Sequence, residues 1–238
     1  MSDSLIQVTG LSKAFGMHRV LDGVDLEVHR CSAVALLGPN GAGKTCLLRI
    51  LATLSRPSRG SVTVAGHDCV REPERVRRSV GLVAHGSQVY EDLSALENLR
   101  FWTTLAGLPW RADDGHRALV AVELDRFETE RVRTFSAGMK RRLALARFVL
   151  ARPVVLLLDE PFAGLDQRAK KWLEEYLEAF KTDGGAILMA THSFGRELGV
   201  ADRIAILTSG RIALDTPRAA LSQDEVQRLY SLHTEEAS

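Results

Sequence analysis

Eight consecutive residues constrain this chain more than any other stretch. Gly38-Pro39-Asn40-Gly41-Ala42-Gly43-Lys44-Thr45 read G-x-x-x-x-G-K-T. They follow the apolar run Ser32-Ala33-Val34-Ala35-Leu36-Leu37 and precede a helical pattern in which Leu47, Leu48, Ile50 and Leu51 line one face. Strand, glycine-rich turn and helix form the setting a phosphate-binding loop requires. The glycines let the backbone curl so that successive N–H groups point inward at an anion. The helix N-terminus adds its partial positive charge. Lys44 is placed to reach terminal phosphates, and the Thr45 hydroxyl to ligate Mg²⁺. A chance glycine-rich turn would need neither the strand before it nor the helix after it.

The remaining pattern predicts an α/β protein. Short β-type segments at 5–8, 24–28 and 61–64, the last two alternating apolar and polar residues, predict an antiparallel flap that the chain leaves for the loop and rejoins after the loop helix. Asp22-Gly23 and Arg59-Gly60 supply turn signals. Residues 86 to about 150 predict helices, one with Leu93, Leu96, Leu99 and Trp102 on a face and broken by Gly107-Leu108-Pro109, another from Ser136 towards Leu150 carrying Leu143 and Ala146. Continuous apolar runs at 154–158 and 186–190 predict buried parallel strands around a helix at 167–181, with a further strand at 204–207. The tail after Leu221 is polar, and its last residues are expected to fray.

With 31 basic against 30 acidic side chains and a net charge of +1, nothing points to nucleic acid as a partner. No apolar run approaches the roughly 18 residues of a membrane span. Met1-Ser2-Asp3-Ser4 has neither a charged nor an apolar leader, so the expectation is a cytoplasmic chain. Cys31, Cys46 and Cys69 are scattered and odd in number, which is no disulfide framework. His67 beside Cys69 offers two ligands, too few for a metal site.

The run at 154–158 ends in Asp159-Glu160. Carboxylates at the carboxyl end of a parallel strand project into the crevice where α/β proteins bind ligands. Asp159 is suited to the Mg²⁺ shell and Glu160 to polarising water beside a γ-phosphate. The segment Phe135-Ser136-Ala137-Gly138-Met139-Lys140-Arg141-Arg142 opens a basic helix. By itself Ser136 reads as an ordinary N-cap.

Taken in order, these parts resemble the nucleotide-binding subunit of an ABC transporter over roughly residues 4–215. The resemblance rests on the loop at 38–45, a Q-loop region near residue 85, the signature Ser136-Ala137-Gly138-Met139, the strand ending at Asp159-Glu160, and His192 in Ala190-Thr191-His192. Gly164-Leu165-Asp166 looks like the D-loop, and Phe15 stands where the family stacks an aromatic on adenine. The resemblance implies a P-loop NTPase fold of the ABC ATPase type, with an antiparallel β subdomain, a helical subdomain at about 86–150, and a C-terminal helix and tail at 216–238. It implies ATP and Mg²⁺ at Gly38, Pro39, Asn40, Gly41, Ala42, Gly43, Lys44, Thr45 and Cys46, with Thr45 and Asp159 on the metal and Glu160, His192 and His85 in catalysis. Ser136, Gly138 and Asp166 would complete the nucleotide site of a second subunit, since the chain carries one loop and one signature. It further implies integral membrane permease partners and a peripheral position on the inner face of the cell membrane.

Two departures narrow the resemblance. Ala137 stands where most members have glycine; its Cβ costs up to about 1 kcal/mol if φ is positive there. His85 stands where the Q-loop has glutamine, with Gln88 three places late. Together with residues 93–99, these departures look like the cytochrome c maturation haem exporter ATPase, implying haem handling. A drug, lipid or other exporter ATPase is the alternative within the family. A soluble ABC ATPase not coupled to transport is the alternative outside it.

Overall fold

The computed structural model describes residues 3–84 and 88–235. Strands β1 (Ser4–Phe15), β2 (His18–His29), β4 (Arg59–Val64) and β5 (His67–Asp68) form one antiparallel sheet in the order β2-β1-β4-β5. The second sheet contains β3 (Ser32–Leu37), β6 (Val80–Val83), β7 (Val155–Asp159), β8 (Ala186–Thr191), β9 (Arg203–Thr208) and β10 (Arg211–Pro217). Its order is β10-β9-β3-β8-β7-β6, parallel except for β10 at the edge. The flap that the chain leaves after β2 and rejoins at β4 is therefore present as read.

Every residue of β7 and β8 is buried, as strands covered on both faces must be. Helix α1 (Lys44–Leu51) lies between the two sheets. Leu47, Leu48, Ile50 and Leu51 are at most 1% exposed and join a core drawn from both sheets. Burial of that face holds α1, and with it the loop before it, against β7 and β8. A short helix α2 (Pro73–Ser79) leads into β6. On the opposite face of the parallel sheet pack α6 (Gln167–Thr182), α7 (Glu197–Val200) and α8 (Gln223–Glu235), whose Val226 is 1% exposed.

Helices α3 (Ala95–Leu105), α4 (Ala112–Ala121) and α5 (Ala137–Ala151) build a third, smaller core around Leu99, Leu119, Leu143 and Ala146. Here the sequence reading needs two corrections. Helix formation starts at Ala95, not near 86, because Ser94 and Glu97 form a reciprocal capping box. The buried face of α3 is Ala95, Asn98, Leu99 and Thr103; of the expected Leu93, Leu96, Leu99 and Trp102, Leu99 alone is fully buried. The Asn98 amide donates to Tyr90 O and Ser94 O, both at 2.9 Å, so a polar side chain takes the inward position and ties down the chain before the helix. Gly107, at φ 67°, ends the helix segment as read. The expected division between 215 and 216 falls inside β10, which runs to Pro217 because it pairs with β9 as far as Arg203.

Candidate functional site

The phosphate-type loop is shaped by glycines with different tasks. Gly43 caps α1 at φ 108°, and a Cβ there would stand 2.6 Å from Leu21 Cδ2. Gly38 needs space instead: a Cβ would stand 2.3 Å from Leu207 O of β9. The loop is thus pressed against the sheet at one end and turned over α1 at the other, where the first amides of the helix lack intrahelical partners.

The loop forms one wall of an open cleft of about 610 Å³. Pro39, Asn40, Gly41, Ala42, Gly43, Lys44, Thr45 and Cys46 line it together with Asp159, Glu160 and His192, which come from the ends of β7 and β8. Lys44 is only 7% exposed, and its ammonium donates to Gly38 O at 2.5 Å and Pro39 O at 3.1 Å. Burial lowers its pKa from the ordinary lysine value, while Glu160 and Asp159 pull it back up. The Thr45 hydroxyl donates to Asp159 Oδ2 at 2.9 Å. A hydroxyl and a carboxylate oxygen at this separation are hard donors of the kind Mg²⁺ takes alongside phosphate and water. The donor set therefore fits that ion.

Glu160 sits at φ 49°, outside the usual region for a residue with a Cβ. Its amide donates to Ala190 O at 2.9 Å, which ties the bend after β7 to the end of β8. Its carboxylate is gripped from that strand. Oε2 accepts from the Thr191 hydroxyl at 3.0 Å, Oε1 accepts from the His192 amide at 3.0 Å, and His192 Nδ1 lies 2.6 Å from Oε1. Arg141 of α5 donates to Glu160 O at 3.1 Å. Backbone strain held in place by such a net is concentrated at functional sites.

Sequence reading missed Thr191 and Arg141 as partners of Glu160, and His18 and Val20 as cleft walls. Thr191 was within reach, since it precedes His192. His18 and Val20 depend on the β1–β2 pairing, in which Phe15 faces His18. Phe15 itself is 58% exposed with Lys13 Nζ 4.6 Å over its ring, and does not line the cleft. Ser136, Gly138 and Asp166 are also outside it. Ser136 caps α5 by accepting from Met139 N at 3.2 Å, and Asp166 caps α6 by accepting from Ala169 N at 2.8 Å. The two helices meet where Gly138 faces Ala169, with no room for a further Cβ. Ala137 is the first residue of α5 and has no positive φ, so its Cβ carries none of the suspected cost. His85 lies outside the described residues.

Residues 21–163 match the family model described as ABC transporter. The chain is 38% identical over 214 residues to the daunorubicin resistance ATP-binding protein DrrA3 of Streptomyces coeruleorubidus, covering 89% of this chain and 68% of that protein. It is 37% identical over 217 residues to the doxorubicin resistance ATP-binding protein DrrA of Mycobacterium tuberculosis, covering 88% and 65% respectively. The chain thus spans about two thirds of the length of these relatives. Among solved structures, an ATP-binding subunit of an ABC transporter superposes with a TM-score of 0.81 at 31% identity, over 96% of this chain and 94% of that one. A loop, two strand-end carboxylates and a histidine gathered over this sheet agree with those likenesses, and the chain belongs to the ABC transporter family as a P-loop NTPase, an ATP-hydrolysing component of such transporters.

Proposed function

We propose that this chain binds MgATP in the cleft over α1 and couples its hydrolysis to export through membrane permease subunits. The observation that carries the reading is the convergence of Lys44, Thr45, Asp159, Glu160 and His192 on one cleft while Ser136, Gly138 and Asp166 are turned elsewhere. Loop amides and Lys44 hold the phosphates. Thr45 and Asp159 hold Mg²⁺, which when bound neutralises phosphate charge. Glu160 accepts a proton from the attacking water, and His192 and Thr191 orient that carboxylate. Phe15, exposed at the hairpin beside the His18 wall, offers its ring to the adenine. His85, from the Q-loop resemblance, is kept as a contact to water or metal.

A site split in this way calls for a second copy, whose signature at Ser136 and Gly138 and whose Asp166 close over the phosphates. In this reading the transport path belongs to partner membrane subunits, with this chain at the inner membrane face; among the described residues no helix is long and apolar enough to cross a membrane. For the cargo, the relatives favour a drug-like compound over haem: they are named for daunorubicin and doxorubicin resistance, and none of those names concerns cytochrome c. The division into an ATPase unit and a following segment is retained as an organising reading, with the boundary moved from 215/216 to after Pro217 so that β10 stays whole.

The test is ATP-dependent anthracycline transport into inverted vesicles containing the chain and its permease. Glu160→Gln should abolish both uptake and phosphate release while retaining ATP binding. Uptake of haem and not of anthracycline would overturn the cargo reading. Full phosphate release by Glu160→Gln would remove Glu160 from its role.

A further inference from the structure

The segment after His192 is held from two sides. Towards α6, the Arg196 guanidinium pairs with Glu174 and donates to Gln167 Oε1 at 3.1 Å. Gln167 is the first residue of the helix that Asp166 caps. Towards α8, Gln223 Nε2 donates to Phe194 O at 2.7 Å. The Phe194 and Tyr230 rings meet edge to face, centroids 5.0 Å apart, a geometry favoured by the ring quadrupoles. Between these anchors, Ser193 N donates to Thr191 Oγ1 at 3.0 Å and Gly195 N donates to Ser193 Oγ at 3.2 Å. The His192 side chain, by contrast, is 61% exposed, and among the described residues Glu160 is the one side chain that orients it. Its placement is therefore decided by the backbone on either side: β8 before it, and the stretch pinned at Phe194 after it. α8 is itself anchored, with Val226 in the core and a cap in which Ser222 N donates to Glu225 Oε2 at 2.7 Å.

We propose that α8 is a positioning element for His192, acting through Gln223 and Tyr230 on Phe194, two residues beyond the histidine. The inference rests on the hydrolytic reading of the cleft and adds to it a residue set far along the chain. Loss of either hold lets the Ser193-Phe194-Gly195 backbone relax, and with it the ring that meets Glu160. A misplacement of about 1 Å near reacting groups lowers turnover by up to roughly a hundredfold. Because neither residue touches the loop at 38–45, nucleotide affinity is left alone.

Tyr230→Ala and Gln223→Leu test this, with Tyr230→Phe as the conservative control. Turnover is measured per nucleotide-binding site at saturating and limiting ATP, well below the melting temperature. The expected result is a kcat about three- to tenfold lower with unchanged KM and ATP stoichiometry for the first two, on the scale of one lost hydrogen bond or ring contact. Tyr230→Phe, which keeps the ring, should retain kcat. A second readout is independent of turnover: amide hydrogen exchange at residues 193–196 should quicken in Tyr230→Ala and not in Tyr230→Phe. A lowered melting temperature with unchanged kcat, or unchanged exchange, would overturn the proposal and leave α8 a packing element. An unaltered chain that fails to hydrolyse ATP would instead refute the hydrolytic reading, while the exchange result would still decide whether α8 holds the segment.

Discussion

Two glycines of the phosphate loop separate space from conformation, and their alanine variants give different losses. Gly38 has no positive φ, yet an added Cβ would stand 2.3 Å from Leu207 O. Ordinary contact begins near 3.4 Å, so the loop and β9 must part by about 1 Å. Neither side yields easily. Leu207 O is backbone, and β9 is paired with β3 on one side and β10 on the other. Overpacking of this kind costs about 1–3 kcal/mol. At roughly 2–4 °C per kcal/mol for a domain of this size, Gly38→Ala should melt about 2–12 °C lower, with about 4–8 °C at the middle of that range. The displaced loop should also bind ATP at least about tenfold more weakly, because its amides no longer converge on the phosphates. Gly41 is the converse case: φ is 83° and nothing lies within 4 Å of an added Cβ. Gly41→Ala then bears only the conformational cost of about 1 kcal/mol, or about 2–4 °C. Thermal unfolding without nucleotide and calorimetric ATP binding measure both. If Gly38→Ala proves no worse than Gly41→Ala in melting, or binds ATP as the unaltered chain does, the close approach of loop and sheet is not what requires glycine at 38.

Other outcomes follow from the same geometry. Lys44→Ala should weaken ATP binding by about 10- to 150-fold, the scale of a charge-assisted contact, as read by equilibrium binding of labelled ATP. Glu160→Gln should lose about 10²–10⁴ in turnover and accumulate an ATP-dependent dimer in light scattering; a monomer under saturating ATP would count against the two-copy site. Maleimide labelling read by mass spectrometry should reach exposed Cys31 first and Cys69 last, because burial pushes the Cys69 thiol up to about 12. Cys46 lines the cleft and its thiol is also raised by burial, so its slow labelling should be blocked by ATP. Burial holds the Tyr176 phenol up to about 12 against an ordinary value near 10. Its contribution to stability is therefore full below pH 10 and lost as the pH rises from 10 through about 12. Absorbance at alkaline pH should show one tyrosine ionising only as the fold opens.

Much of the cleft was legible because its chemistry is local. A loop of fixed spacing between an apolar run and a helical pattern places Lys44 and Thr45 with no knowledge of the rest of the chain. Asp159, Glu160 and His192 could be located because each ends a continuous apolar run, and continuous runs mark strands buried on both faces. The same locality gave the Ser136 cap, whose partner is three residues away; the Asp166 cap is equally local but was not read.

What the sequence by itself determined, then, is the set of elements and the residues at their ends: the loop, the strand-end carboxylates, the histidine, and a helix opened by Ser136. Tertiary structure alone decided which of these meet. The parallel order β3-β8-β7 brings His192 and Thr191 onto Glu160 from 31 or 32 residues away, and no local pattern records which strand lies beside which. It also turned Asn98 inward, put His18 and Val20 instead of Phe15 on the cleft wall, and set α8 against Phe194. The physical reason is the same in each case. Propensity and periodicity act over a few residues, whereas strand neighbours and helix docking are chosen by the burial of apolar faces far apart in the chain.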